Sequence, residues 1–393
     1  MDHFGFRAIE FGNWLPQDER QTVLNMAFDS LCDLADALGV PPKGVSFNGE
    51  LAVAFGSRGT GGKKAALAHF EPGRNVINLT RMKGAGSLAH EWFHALDWEL
   101  GDKTGFLTER KRPRFADDPM PKLVEAMMRR PSTPEEVAER SQKEAEKHKR
   151  YAESWCYRLP PECREVLGRT MDELFANARA SMHEGASRFF AALPAHEKNM
   201  ANSERHVHPM GVPVGQIVDI AENICDVVRN YCKTEGHGLV KKEADAVDGN
   251  VQWMLRHMSR WVTVEAARDQ GVTLDARFLG GENSVETRYF QQAKALDEKR
   301  SSAYWATEIE LFARAGAQFV LYELAEKGVR SDYLVYGSDE ERYVNHPIGN
   351  PNPAGDDRAA LREHFSALIE DYRIRLLRSK DAESSPEIGR AHV

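Results

Sequence analysis

The chain has 393 residues, 41% apolar and 28% charged, with a formal net charge of −8 at pH 7. That length can bury a large core in two or three structural units, and the composition excludes a wholly disordered chain. The acidic balance argues against direct, unaided binding to a nucleic-acid backbone.

The longest apolar runs fall well short of the roughly twenty residues a membrane helix needs, so no membrane partner is expected. The start, Met1-Asp2-His3-Phe4-Gly5, lacks the basic and apolar regions of a secretory signal, and a cytoplasmic setting is expected. Cys32, Cys156, Cys163, Cys225 and Cys232 are odd in number and include no CxxC. They signal neither a disulfide framework nor a cysteine zinc site.

In chain order, residues 16 to 38 predict a helix with the apolar stripe Leu24, Phe28, Leu31, Leu34 and Leu38, stopped by Gly39 and Pro41. Leu51, Val53 and Phe55 alternate with small residues, as in a strand. The glycine-rich run Gly56 to Lys63 fails as a phosphate loop, because Lys63 is followed by Lys64 and Ser57 stands where a glycine is required. Residues 66 to 70 and 75 to 80 flank Glu71-Pro72-Gly73-Arg74, which predicts a hairpin closed by a type II turn. An edge strand there can pair with an extended substrate backbone.

The hairpin runs into His90-Glu91-Trp92-Phe93-His94, an HExxH segment with Ser87 as expected N-cap and Gly101 as a left-handed stop. On a helix the 100° step per residue stacks His90 over His94, so both imidazoles can bind one Zn²⁺. Glu91 then lies beside the open position as general base for a water that the ion acidifies. From about 105 to 300 the chain reads as helices, and Thr133-Pro134-Glu135-Glu136 is a capping box opening a charged, solvated arm. A further helix returns at 301 to 327, a proline-rich turn spans 345 to 356, and a last helix runs to about 379 before a disordered tail. The expected divisions are 1–104, 105–300, 301–379 and 380–393.

A catalytic zinc usually has three protein ligands, which leaves one to find. Glu310 is the first choice, because Ala313 and Ala315 leave little bulk to keep its helix from the HExxH helix. Glu308 is the reserve. Thr307-Glu308-Ile309-Glu310 also fits a capping box, in which Glu310 merely bonds its own helix start. Asp97, on the same face as His90, is expected as a second-layer acceptor for a histidine N–H. Tyr304, Arg314, Tyr333 and His346 are eligible donors to a developing oxyanion.

Several blocks resemble one family, the large polyvalent protein-associated domain of type 1. They are Phe4-Gly5-Phe6 with Glu10 to Trp14, Phe55 to Gly59, Ile77 to Thr80, Gly84 to Asp97, and distally Tyr304-Trp305, Glu310 to Ala315, Tyr333 to Val335 and the turn before Arg358. The resemblance implies a setting in long multidomain proteins of phages and conjugative elements, acting in conflict with a host. Gly316-Ala317 stand where that family carries bulkier residues. The expected architecture is α+β, mostly helical, with a small N-terminal antiparallel sheet and a zincin-like metal helix. The expected function is zinc-dependent hydrolysis of a protein or peptide substrate. The alternatives are a catalytically inactive binding module that engages a host protein or a nucleic-acid complex, and a helical protein with an accidental HExxH.

Overall fold

The computed structural model describes residues 3–12, 17–56, 68–79, 85–154, 161–195, 241–272, 284–343 and 349–384, apart from isolated positions between 222 and 274. The loop beyond Gly56, His346 and the tail after Ser384 lie outside the described residues. Among the described residues the chain is mostly helical with a small mixed sheet. None of its described helices is long and apolar enough to cross a membrane.

Two compact units emerge. The first comprises Met1–Arg130 with Glu286–Val393, and the second Pro131–Val285. The division falls inside the expected 105–300 because helices α4 (Pro119–Met128) and α8 (Arg288–Asp297) bury Met120, Leu123, Met127, Tyr289 and Ala293 in the first core.

The first unit holds strands β1 (Ile9–Phe11), β2 (Ala52–Phe55), β3 (Ala68–Glu71) and β4 (Val76–Leu79) in the order β1-β2-β4-β3. Only β3 and β4 pair antiparallel; β1 with β2 and β2 with β4 are parallel. The expected antiparallel sheet is thus corrected to a mixed one. Helices α1 (Gln17–Leu38) and α2 (Pro42–Val45) lie between β1 and β2 and supply the crossover that parallel pairing requires. The small residues of β2 are buried rather than solvated: Val53 and Phe55 join the main core while Ala52 and Ala54 join Val76 on the other side. A strand covered on both faces is what a parallel neighbour demands.

The hairpin turn also differs from expectation. Pro72–Arg74 form a single 3₁₀ turn, and the left-handed residue is Asn75 at φ 50°, not Gly73. Asn75 is anchored there by its side-chain amide, which donates to the Glu50 carbonyl at 3.0 Å.

Helix α3 (Leu88–Leu100) carries the HExxH residues and is buried along most of its circumference. Ser87 occupies the N-cap, but its side chain makes no capping bond. The Ala89 N–H instead donates to the Leu334 carbonyl at 3.0 Å, so a distant backbone segment meets a need the sequence assigned locally. Gly86, at φ +83°, exchanges backbone bonds with Tyr333 and Tyr336, and a Cβ there would collide with Tyr336. Gly101 is likewise not left-handed, at φ −80°; its missing Cβ leaves room for the Gly105 carbonyl, while Asp102 and Lys103 take the positive φ values.

Helix α9 (Glu308–Glu326) packs against α3. A Cβ at Gly316 would strike the Phe93 ring, so the small residue there permits the close approach. Phe93 meets Phe312 edge-on at 5.6 Å and Phe365, from α10 (Gly355–Ser384), at 5.7 Å. On the other side of α3, the Trp92 indole donates to the Val45 carbonyl at 2.8 Å.

In the second unit, helices α5 (Pro134–Glu153) and α6 (Pro161–Ala191) pack on α7 (Lys241–Asp269) around Phe175, Met182, Phe190, Met254, Leu255 and Val262. The Thr133 capping box forms with both of its bonds. The expected solvated arm is corrected: Val137, Ser141, Ala145, His148 and Ala152 of α5 make a buried face, built of mainly small residues that a search for large apolar side chains overlooks.

Candidate metal centre

Three side chains converge where α3 meets the first turn of α9. His90 Nε2 and His94 Nε2 lie 3.1 Å apart, and Glu310 brings Oε1 to 3.5 Å from His90 Nε2 and Oε2 to 3.6 Å from His94 Nε2. One ligand atom from each residue can be chosen with all of them within 4.8 Å of one another. A tetrahedral ion with bonds of about 2.0–2.2 Å separates its ligand atoms by about 3.3–3.6 Å; both Glu310 spacings fall in that range, and the two imidazole nitrogens stand slightly closer. Glu308 is not part of this group. Glu310 receives half of a capping box, since the Thr307 hydroxyl accepts from its N–H at 3.4 Å, but its carboxylate turns to the histidines and Arg314.

The electrostatics are those of a group of titratable side chains in a largely dry site. Burial, and then the neighbouring His94, push the His90 pKa down to about 3, leaving a neutral imidazole. For His94 burial works against the charge, but the Glu310 hydrogen bond and the Glu91 and Glu310 charges outweigh it and raise its pKa. Burial likewise opposes ionisation of Glu310; the His94 hydrogen bond, with the nearby His90 ring and the Arg314 charge, overcomes it and holds this carboxylate well below its usual range. The result is an ionised carboxylate facing one neutral ring, His90, and a second ring, His94, that would give up its proton to a divalent cation.

Glu91 is buried beside this group, and its pKa is pushed up to about 7, chiefly by burial. Its carboxylate accepts the backbone N–H of Phe70 in β3, the edge strand of the sheet. A carboxylate poised near neutrality suits proton transfer.

The remaining expected residues divide. Asp97 does not bond a histidine: its carboxylate accepts from Thr108 N–H at 2.9 Å and Thr108 Oγ1 at 2.7 Å, while His94 Nδ1 is buried without a hydrogen-bond partner. Asp97 therefore ties the segment after α3 back onto it, which the helical spacing alone did not reveal. Arg314 donates from Nη2 to Glu310 Oε1 at 2.5 Å, while its Nε is buried without a hydrogen-bond partner. The Tyr304 hydroxyl bonds Glu310 and Arg314, and the residue is 40% exposed, so it stands at the edge of the group. Tyr333 enters through its backbone carbonyl, which accepts from Gly86. His346 lies outside the described residues.

Sequence reasoning overlooked Phe70, Leu334, Thr108, Trp305 and Asp297. Trp305 and Leu334 lie in blocks that resemble the family, but nothing in the sequence pairs them with Arg314 or with the start of α3; Phe70, Thr108 and Asp297 lie in no motif, and their partners are chosen by the folded backbone.

Residues 296–376 match the family described as large polyvalent protein-associated domain 1. That segment includes Tyr304, Glu310, Arg314 and Tyr333, but the HExxH helix and the N-terminal blocks lie before it. No curated protein and no solved structure matches the chain.

Proposed function

We propose that this protein is a zinc-dependent metallopeptidase, acting on protein or peptide substrates through a water activated at His90, His94 and Glu310. The observation that carries the reading is the arrival of Glu310, 216 residues beyond His94 in the sequence, within 3.6 Å of both imidazoles, with Glu91 buried alongside. Bound Zn²⁺ would lower the pKa of a water to about 7 and polarise a substrate carbonyl.

The protein's own groups perform the proton and positioning work. Glu91 takes the proton from the attacking water and returns it to the leaving nitrogen. The Phe70 N–H holds that carboxylate through one hydrogen bond. Tyr304 and Arg314, both beside Glu310, are the donors available to the developing oxyanion. The edge of β3 offers backbone groups to an extended substrate. The distal family match and the resembling N-terminal blocks support a phage or mobile-element setting in which such a peptidase acts against host proteins.

Elemental analysis together with Glu91→Gln tests the reading. The wild type should hold about one Zn²⁺ and cleave members of a broad peptide library. Glu91→Gln should keep the zinc and lose at least roughly a hundredfold in rate. Equal rates in the two proteins remove Glu91 as the base. Zinc retained with cleavage by neither protein turns the site into a binding module.

A further inference from the structure

The two oxygens of Glu310 have different surroundings. Oε1 stands 3.5 Å from His90 Nε2 and also accepts from Arg314 Nη2 at 2.5 Å, whereas Oε2, 3.6 Å from His94 Nε2, takes no bond from Arg314. Arg314 is four residues after Glu310 on α9 and is held from its far side, with its guanidinium carbon 4.0 Å from the centre of the Trp305 ring. Such a stack fixes a planar cation in orientation as well as position.

Trp305 is placed in turn by Asp297, at the end of α8. The Asp297 carboxylate accepts the backbone N–H groups of Tyr304 at 3.1 and 3.0 Å, Trp305 at 3.1 Å and Ala306 at 2.9 Å. Arg300 stands 3.6 Å from the same carboxylate and 4.8 Å from the centre of the Tyr304 ring. Three consecutive N–H groups gathered on one carboxylate define the backbone of that loop. The loop in turn delivers Trp305 to Arg314, and the Tyr304 hydroxyl to Glu310 and Arg314.

We propose that Asp297 and Arg314 are positioning residues for the third metal ligand: Asp297 folds the 298–306 loop so that Trp305 braces Arg314, and Arg314 occupies Oε1 so that a bound ion would be held by one Glu310 oxygen rather than by both. A carboxylate with both oxygens free can ligate through both and fill the position that hydrolysis needs open. A charge-assisted bond to one oxygen prevents this, being about twice as strong as a neutral one. The inference rests on the metal reading of His90, His94 and Glu310.

The test uses the full chain loaded with Co²⁺, whose visible absorption reports coordination number. The wild type should show the intense band of a four-coordinate ion. In Arg314→Met the freed Oε1 should join the metal, and the band should weaken by at least about twofold. Arg314→Lys should restore it, because an ammonium can reach Oε1 although it cannot stack on Trp305 as a guanidinium does. Rescue by lysine is not expected of a simple packing defect. Should Arg314→Met fail to fold, Trp305→Leu and Asp297→Ala leave every ligand in place and should weaken the band in the same direction. A band unchanged in Arg314→Met, or in both of the other variants, overturns the inference and leaves the metal reading standing. A wild type that binds no Co²⁺ overturns both.

Discussion

Among the described residues two close histidine pairs occur, one in each unit, and they differ in what surrounds them. His90 and His94 meet edge-on within one helix, with nitrogens 3.1 Å apart and the Glu310 carboxylate within 3.6 Å of both rings. His148 and His257 meet across α5 and α7, stacked with their Nδ1 atoms 2.6 Å apart and boxed by Tyr151 and Trp253. Glu144 comes only to 3.8 Å from His148, on the other ring nitrogen. Among the described residues only the first pair belongs to a group of three metal-ligating side chains. Proximity of imidazoles is thus not sufficient; an acid aimed between them decides whether a pair can serve a cation or is packed into a helix interface.

The largest effect should come from removing that acid. Glu310→Ala should reduce the first pair to the condition of the second and weaken zinc by several orders of magnitude, whereas Glu308→Ala should leave affinity near that of the wild type. A competition titration against a chromogenic chelator reads both. Weakened zinc in Glu308→Ala alone would contradict the placement of α9.

Moving the acid instead of deleting it should have a smaller effect. Gly316→Ala sets a methyl group against the Phe93 ring and should cost about 1–3 kcal/mol of stability as α9 shifts from α3. Zinc affinity should fall with it, because Phe93 and the two histidines share one helix. Denaturant unfolding and the same titration check this, and a neutral substitution would mean that the helices separate without cost.

The pH dependence of cleavage probes the first site from another side. The Glu91 pKa stands near 7 with no cation beside it, and a nearby cation can only lower that value. The rate should therefore fall on the acid side at or below about pH 7 and be flat above it as far as this group is concerned. A rate limited by a single deprotonation well above pH 8 would exclude Glu91 as the base.

The smallest effect belongs to the second pair. Burial, and then Arg260, hold His148 below the ordinary value of 6.5. As pH falls through about 6.5 the unfolded chain takes up a proton that the folded protein still refuses, so stability drops, levelling only below the folded pKa. His148→Leu should remove part of that acid slope in unfolding experiments at pH 7.5 and 5.5 and leave zinc content unchanged. Loss of zinc in this variant would erase the distinction between the two pairs.

How much of this was written in the chain varies with distance along it. The helical step determines that His90 and His94 share a face, and nothing elsewhere in the protein can alter that relation while α3 stays helical. The Thr133 capping box is local in the same way and forms as read. The small residues of α9 were legible as a licence for close approach, although the residue that meets Phe93 is Gly316, three positions beyond Ala313.

Tertiary structure decided what depends on partners far apart in sequence. Alternation marked β2 as a strand but carried no information about the direction of its neighbours, and the sheet proved mixed. Asp97 was placed on the correct helix face, yet Thr108 folds back to take its carboxylate. Ser87 was a sound candidate cap, and the Leu334 carbonyl reached the helix start instead. Covalent geometry fixes the angular relation of residues within one helix, so spacing suffices to read it. A hydrogen-bond donor takes whichever acceptor the packed chain brings within about 3 Å, and that choice exists only once the core has formed.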